Sequence, residues 1–450
     1  MTNFPAQLTF ELPSNCSIPD TQIFIAVLGK EPDVPVDSAK FGYLDFETST
    51  FQANYTVNNF SLDTATMVRS LAQIKALDSD GRYIVQIPRI VSGRVYFAFK
   101  DNFDKMAGFS SSGPTNSKNN HVLYDKIELH TADNPNINAT NVDFYGVSYK
   151  VTVTDTNTGQ QRSVGFETPS QTIIAAFNAI ASSPEDQENG NTDLFKQLMI
   201  KNEQGETVRV LAPKAAGLTD WGGATLTDQI NNATKCSHFW DDYVNNSCWK
   251  PGRTFSCYSK LYNKTDPNSN HTIYYGKVSE DGQTLSLFTD AAMQKPYSVP
   301  SLPRPSNPWG VPNFSPPPPD KPSLYQNLDS NNGSIDWGFL LFANAGSDHG
   351  LGEYWNSDPV VIAIMVSICR GVMHYDDGCD KWTDSSYFYK GDGQGNSTAD
   401  FPIFYFSKIL HDYGVDNRAY VLSYDDVYGG EDPTIYFNGY PDITISFSNF

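Results

Sequence analysis

The stretch YDKIELHTADNPNINATNVDFY, residues 124–145, decides how the chain is read. Two strand-like runs flank a segment rich in Asn, Asp, Thr and Pro, which predicts a loop between them. In the first run Tyr124, Lys126, Glu128 and His130 share one face by alternation, with Leu123, Ile127 and Leu129 on the other. Glu128 is therefore expected away from the apolar side. In the second run Asn141, Asp143 and Tyr145 share a face opposite Val142 and Phe144. Two carboxylates on polar, aromatic-flanked faces suit glycosidic cleavage, where one carboxyl protonates the leaving oxygen and the other activates water or attacks the sugar. Exposed Glu and Asp on strand faces are most often simply solvated, so the pattern alone does not assign catalysis.

The chain around this window has 450 residues, enough for two domains or for one domain carrying a large insertion. Its 31 Lys and Arg against 51 Asp and Glu give a formal charge of -20, which argues against nucleic acid or an anionic membrane as partner and leaves neutral polymers open. Aromatic residues make up 13% of the chain and charged residues 18%, a balance suited to β-rich folds and to sugar stacking. The longest mainly apolar run, residues 360–369, falls far short of the roughly 20 residues needed to span a bilayer. The first residues, MTNFPAQLTFELPSN, show no basic patch followed by an apolar run, so no signal peptide is visible. N-x-S/T sequons from Asn15 to Asn396 mildly favour an exported protein. Of the six cysteines, Cys248 with Cys257 and Cys369 with Cys379 are the closest pairs for local disulfides. A zinc site from Cys236 and His238, or from His374 and Cys379, lacks the paired C-x-x-C spacing.

From residue 9 to about 164 short alternating runs broken by Pro, Gly, Asn and Asp predict a sandwich or barrel. In RVYFAF, residues 94–99, Val95, Phe97 and Phe99 face one side and Arg94, Tyr96 and Ala98 the other; residues 64–76 are the one candidate helix there. Beyond residue 168 the period changes. Helices are expected from Ser170, where Ile173, Ile174, Phe177 and Ile180 recur, and over 192–200, 226–244 and 360–372, with strands at 207–211, 255–262 and 272–288. Residues 295–322 form a Pro-rich extended loop. A helix-like FPIFYFSKILHDYG and strands at 419–427 and 443–447 follow, so the C-terminus is expected to complete the sheet begun at the N-terminus.

Six segments in order carry a resemblance to a known family: SGRVYFAF (92–99), YDKIELH (124–130), NVDFYG (141–146), FWDDYV (239–244), ICRGVMH (368–374) and AYVLSYDDV (419–427). With them the chain resembles the glycoside hydrolases of family 64, endo-β-1,3-glucanases that release laminaripentaose. The resemblance implies a mainly β protein with an α/β insertion. A thaumatin-like β-barrel or sandwich domain, residues 1–168 and 400–450, would flank a wide groove with a mixed α/β domain at 169–399. By position it makes Glu128 the general acid and Asp143 the general base of an inverting hydrolysis. Tyr124, His130, Asn141, Tyr145, Asp425 and Asp426 become the expected substrate-binding residues. His130 stands where the family tends to have Thr, and no Trp lies between 131 and 142, where the family tends to have one.

The implied protein is a secreted monomer that acts on β-1,3-glucan, with no metal or organic cofactor and no nucleic-acid or membrane partner. A non-catalytic glucan-binding protein that kept the fold but lost turnover is the alternative. Inversion requires room for a water, with carboxyls roughly 6.5–9.5 Å apart. Glu128 and Asp143 are therefore expected to be offset and not to face each other across a simple hairpin.

Overall fold

The computed structural model describes residues 5–34, 38–55, 61–74, 77–103, 106–107, 122–156, 158–182, 194–212, 240, 242–259, 261–262, 268–303, 358–398, 400–421 and 433–449. The N-terminal part supplies β1 (Ala6–Glu11), β2 (Ile23–Lys30), β3 (Phe41–Asp45), β4 (Thr50–Tyr55), β5 (Tyr83–Ile87) and β6 (Val91–Phe99). The window that opened the sequence reading gives β7 (Leu123–His130), β8 (Asn136–Asn138) and β9 (Phe144–Tyr145), followed by β10 (Tyr149–Thr154) and β11 (Gln161–Gly165). Next come α1 (Ser170–Ala181), α2 (Leu194–Leu198), β12 (Met199–Lys201) and β13 (Thr207–Leu211). A four-stranded antiparallel sheet in sequence order follows: β14 (Thr254–Tyr258), β15 (Ile273–Val278), β16 (Thr284–Phe288) and β17 (Pro296–Pro303). Last are α3 (Pro359–Cys369), α4 (Tyr405–Tyr413), β18 (Thr434–Tyr436) and β19 (Asp442–Phe447).

Two sheets form a sandwich. One has the order β11-β10-β19-β1-β5, and the other runs β18-β8-β7-β6-β2-β3-β4 with a two-residue strand at Arg69–Ser70 beside β2. β1 and β19 run parallel, Gln7 opposite Asp442 through Glu11 opposite Ser446, so the two ends of the chain close one sheet as the sequence led us to expect. The alternation in β6 holds: Val95, Phe97 and Phe99 point between the sheets, where Phe97 meets Tyr149 and Phe447 at ring distances of 4.9 and 5.1 Å. Ile127 and Leu129 of β7 join them. Burying these side chains, at about 25 cal/mol per Å² of apolar surface, stabilises the sandwich.

The opposite face of the second sheet is also largely covered. Tyr96, Ala98 and Tyr124 pack into a second core with Phe144, Tyr145, Phe177 of α1, Ile364 of α3 and Phe406 of α4. α4 lies on α1, with the rings of Phe177 and Phe406 5.7 Å apart. α3 is apolar but for Ser367, whose hydroxyl donates back to Ile364 O, which fits a buried helix. Its start is fixed by Asp358, which accepts N–H bonds from Val360 and Val361, with Pro359 at the first helical position.

Several expected elements differ. The helix expected over 64–76 is a single turn at Thr64–Met67 followed by a 3₁₀ turn at Leu71–Gln73. The helix expected over 192–200 ends at Leu198, where the chain turns into β12. Of the helix expected over 226–244 the described part is a π-helical turn at Tyr243–Cys248. Of the Pro-rich loop expected over 295–322, residues 296–303 instead form β17 and pair with β16, while 304–322, like 422–427 of the penultimate strand, lie outside the described residues. Cys16, Cys248, Cys257 and Cys379 carry free thiols, so neither local disulfide forms. Proximity in sequence misled there: β14 lays its Ser256 alongside Asp377, which brings Cys257 near Cys379.

Candidate active site

β7 forms a ladder with β6 along most of its length, but β8 is only three residues long and pairs with it only at Glu128, Leu129 and His130. Glu128 therefore stands between Arg94 on β6 and Asn138 on β8. Arg94 Nη2 lies 2.7 Å from Glu128 Oε1, and Asn138 Nδ2 donates to Oε2 at 3.2 Å. Both partners come from direct cross-strand positions, the closest side-chain neighbours in an antiparallel sheet. The carboxylate keeps 24% of its side-chain surface exposed, which leaves it reachable.

Asp143 arrives differently. After β8 the chain leaves the sheet, and Asn141 N donates to Tyr420 O at 2.7 Å while Ala212 N donates to Asp143 O at 2.8 Å. Asp143 then reaches the Glu128 face of β7, where Lys126 Nζ donates to its Oδ2. Lys126 is almost wholly buried, and burial lowers the pKa of its ammonium against the pull of Asp143. The ammonium also lies 5.5 Å from the centroid of the Phe144 ring. Lys126 and Glu128 are two positions apart on one strand face, so Asp143 and Glu128 stand side by side along β7 and do not face each other across a ladder.

Asp125 is fully buried on the other face of β7, and burial pushes its carboxyl up to about 7 against the pull of three backbone N–H donors, from Val147, Gly146 and Lys126. Those bonds measure 3.0, 2.8 and 2.7 Å.

The expected substrate-binding residues separate into three groups. His130 is half-buried on the Glu128 face, and Ser92 N approaches its Nδ1 at 3.5 Å. Tyr124, Asn141 and Tyr145 are buried, which withdraws them from direct contact with a polymer. Tyr124 packs edge-on against Phe144 and under the Arg209 guanidinium, 4.0 Å from its ring centroid. Tyr145 shares a 2.6 Å hydrogen bond with Ser148, and Asn141 Nδ2 donates to Phe144 O at 3.3 Å. Alternation had placed them on polar faces, but a second layer covers those faces. Asp425 and Asp426 lie outside the described residues.

Arg94, Lys126 and Asn138 were not singled out from the sequence. Arg94 and Lys126 were legible as members of the Glu128 face, by alternation within β7 and by an Arg at the start of the aromatic run. Asn138 was hidden because residues 131–140 read as loop. Among the described residues no group of three or more His, Cys, Asp or Glu is arranged to hold a metal, and His374 Nδ1 is engaged with the Tyr243 hydroxyl at 3.2 Å. Among the described residues no helix is long and apolar enough to cross a membrane. A cavity of about 690 Å³ between Leu123, Ser170, Asn178 and Glu206 includes none of the expected site residues.

Known proteins resemble the chain as a whole. The β-1,3-glucanase model of glycoside hydrolase family 64 matches residues 6–438. Among solved structures, a family 64 β-1,3-glucanase domain from Clostridium beijerinckii is 18% identical with a TM-score of 0.54, covering 98% of each chain. A laminaripentaose-producing β-1,3-glucanase in complex with laminaritetraose is 18% identical with a TM-score of 0.59, covering 99% of this chain and 98% of that one. The laminaripentaose-producing enzyme of Paenibacillus barengoltzii complexed with laminarihexaose is 16% identical with a TM-score of 0.51, covering 98% of this chain and 74% of that one. No curated protein matches the chain. With the family model spanning nearly its whole length, the chain belongs to glycoside hydrolase family 64, the β-1,3-glucanases.

Proposed function

We propose that this glycoside hydrolase cuts β-1,3-glucan at internal bonds with inversion, Glu128 protonating the glycosidic oxygen and Asp143 activating the attacking water. The observation that carries the assignment is the placement of Asp143 on Lys126, one same-face step along β7 from Glu128. Lys126 and Glu128 are consecutive same-face positions of β7, about 7 Å apart along the strand, so the two carboxyls are held at separate positions, which supports the room for a water that inversion needs. Lys126 keeps a base in its charged form, and Asn138 and Arg94 orient the acid. For Glu128 to act as acid, its Oε1 must exchange Arg94 for a proton from solvent; hydroxyls of the incoming sugar take the guanidinium, and the proton that Asp143 draws from the attacking water returns to solvent when the site resets. Among the described residues His130, half-buried on the same face, is the remaining expected sugar contact.

The two-sheet sandwich supports a thaumatin-like description of the β region, and the acidic charge of -20 supports a neutral polysaccharide as substrate. Secretion and a monomeric state complete the proposal. Curdlan or laminarin incubated with wild-type protein, Glu128→Gln and Asp143→Asn tests it. Wild type should release reducing sugar, with both variants reduced at least a thousandfold. Binding without release by wild type would instead favour a non-catalytic glucan-binding protein, and a first-formed β-anomer by NMR would overturn inversion.

A further inference from the structure

β8 pairs with β7 only at Glu128, Leu129 and His130, so the edge of β7 before Glu128 lies outside that ladder. The chain of 143–149 fills that edge by other means. The Asp125 carboxylate takes the N–H groups of Gly146 and Val147, and the Tyr149 hydroxyl donates to Lys126 O at 2.6 Å. The approach is so close that a Cβ on Gly146 would lie 2.1 Å from Tyr124 O, so a side chain there must push the segment away from the strand. Asp125 is wholly buried, and its carboxylate projects to the face opposite Lys126 and Glu128. A buried carboxylate is costly unless its hydrogen bonds are well made, so a cheaper apolar residue would serve if simple packing were the only need.

We propose that Asp125 is a positioning residue for the general base: by holding Gly146 and Val147 against the edge of β7, it fixes where Asp143 reaches Lys126 beside Glu128. The backbone bonds at Asn141 and Ala212 set the path of the segment, and the Asp125 contact sets its depth against the strand. Adjacent residues of one strand thus hold the two ends of the turn. Lys126 takes the Asp143 side chain on one face, and Asp125 takes the Gly146 backbone on the other.

The inference rests on the reading of Asp143 as base, and its test separates the two. In the full chain, Asp125→Asn and Gly146→Ala are assayed on laminarin from pH 4 to 9, with circular dichroism and thermal melting as the check on folding. Among the described residues, the groups that interact electrostatically with Asp143 include Lys126, Tyr96 and Tyr124, and those that interact with Asp125 include Lys126, Tyr124, Tyr145, Tyr149 and Arg209. In either folded variant kcat should fall tenfold or more with KM within twofold. The acidic limb of the kcat profile, set by ionisation of the base, should move while the alkaline limb stays. The double variant should be no slower than the slower single one, because both act on one contact. Gly146→Ala leaves the buried carboxylate in place and serves where Asp125→Asn does not fold. A folded variant with wild-type kcat and an unmoved acidic limb overturns the inference, as does a loss of activity that only follows the folded fraction. If Asp143→Asn stays active the base assignment itself fails; if it is inactive while folded Asp125→Asn is wild type, only the positioning role fails.

Discussion

Glu128 stands across the ladder from Asn138, whose Nδ2 donates to Oε2, while Asp143 comes to the same sheet face on a separate segment held by Lys126. A hairpin is present, but it is too short to bring the two carboxylates opposite one another. That leaves Asn138 as the neutral group that aims Glu128. Removing one hydrogen bond to a carboxylate costs about 1.5–3 kcal/mol, which in a barrier corresponds to roughly 10–150-fold. Asn138→Ala is therefore expected to lower kcat on laminarin by about tenfold or somewhat more, with KM little changed. A wild-type kcat in a folded variant would remove Asn138 from the acid's support.

Lys126 is expected to be more sensitive. Its ammonium and the Asp143 carboxylate are both largely buried, and deleting one partner of a buried pair costs about 3–5 kcal/mol because the other charge is stranded. Lys126→Met should lower the melting temperature and nearly abolish turnover, since an uncompensated Asp143 takes up a proton. Lys126→Met combined with Asp143→Leu should recover much of the stability and none of the activity. If the double variant is no more stable than Lys126→Met alone, the stranded carboxylate is not the cause of the loss.

How far the sequence reveals this site depends on which face of β7 is considered. The inward face was legible because Ile127 and Leu129 alternate with polar residues and meet Val95 and Phe97 between the sheets. The outward face was only half legible. Alternation tells which residues share a side, but it does not tell whether that side meets water, and here Phe144 and Arg209, from beyond the hairpin, cover Tyr124 and leave Glu128 open. Asp143 was assigned to a strand, yet only Phe144–Tyr145 is extended and paired, with β13 as partner. That pairing joins residues far apart in the chain, so no local pattern announces it. Cys257 and Cys379 were missed as neighbours for the same reason.

His374 predicts a pH dependence of stability. Burial, helped by the Arg253 charge, lowers its pKa from 6.5 to about 4. Between those values the unfolded chain binds a proton that the folded protein does not, so stability rises with pH from about 4 to 6.5 and is fully present above that window. The difference corresponds to a contribution on the order of 3 kcal/mol. Asp125 acts in the opposite sense: its raised folded value contributes stability at low pH that is lost as pH rises from 3.8 toward 7. The quantity to read is therefore the wild-type slope minus that of His374→Gln in urea unfolding at pH 4.5 and 7. A His374→Gln variant with the same slope as wild type would show that His374 does not titrate in this way.

Asp358 allows α3 to be probed apart from the chemistry. Its Oδ1 accepts from Val360 N at 2.9 Å and Val361 N at 3.0 Å, capping α3, while Oδ2 accepts from the Tyr297 hydroxyl at 2.9 Å and so ties the helix to β17. Loss of an N-cap costs about 0.5–2 kcal/mol, and the stranded Tyr297 hydroxyl adds about 1 kcal/mol more. Asp358→Ala is expected to destabilise the protein by about 2 kcal/mol, read from denaturant midpoints at constant slope. Asp358→Asn, which retains the cap acceptor, should recover more than half of that loss. None of these contacts involves β7 or the 143–147 turn, so kcat and KM on laminarin at 25 °C should stay within twofold of wild type. A tenfold fall in kcat for a folded Asp358→Ala would mean that α3, which shares a core with Tyr124 and Phe144, transmits its packing to the carboxylates.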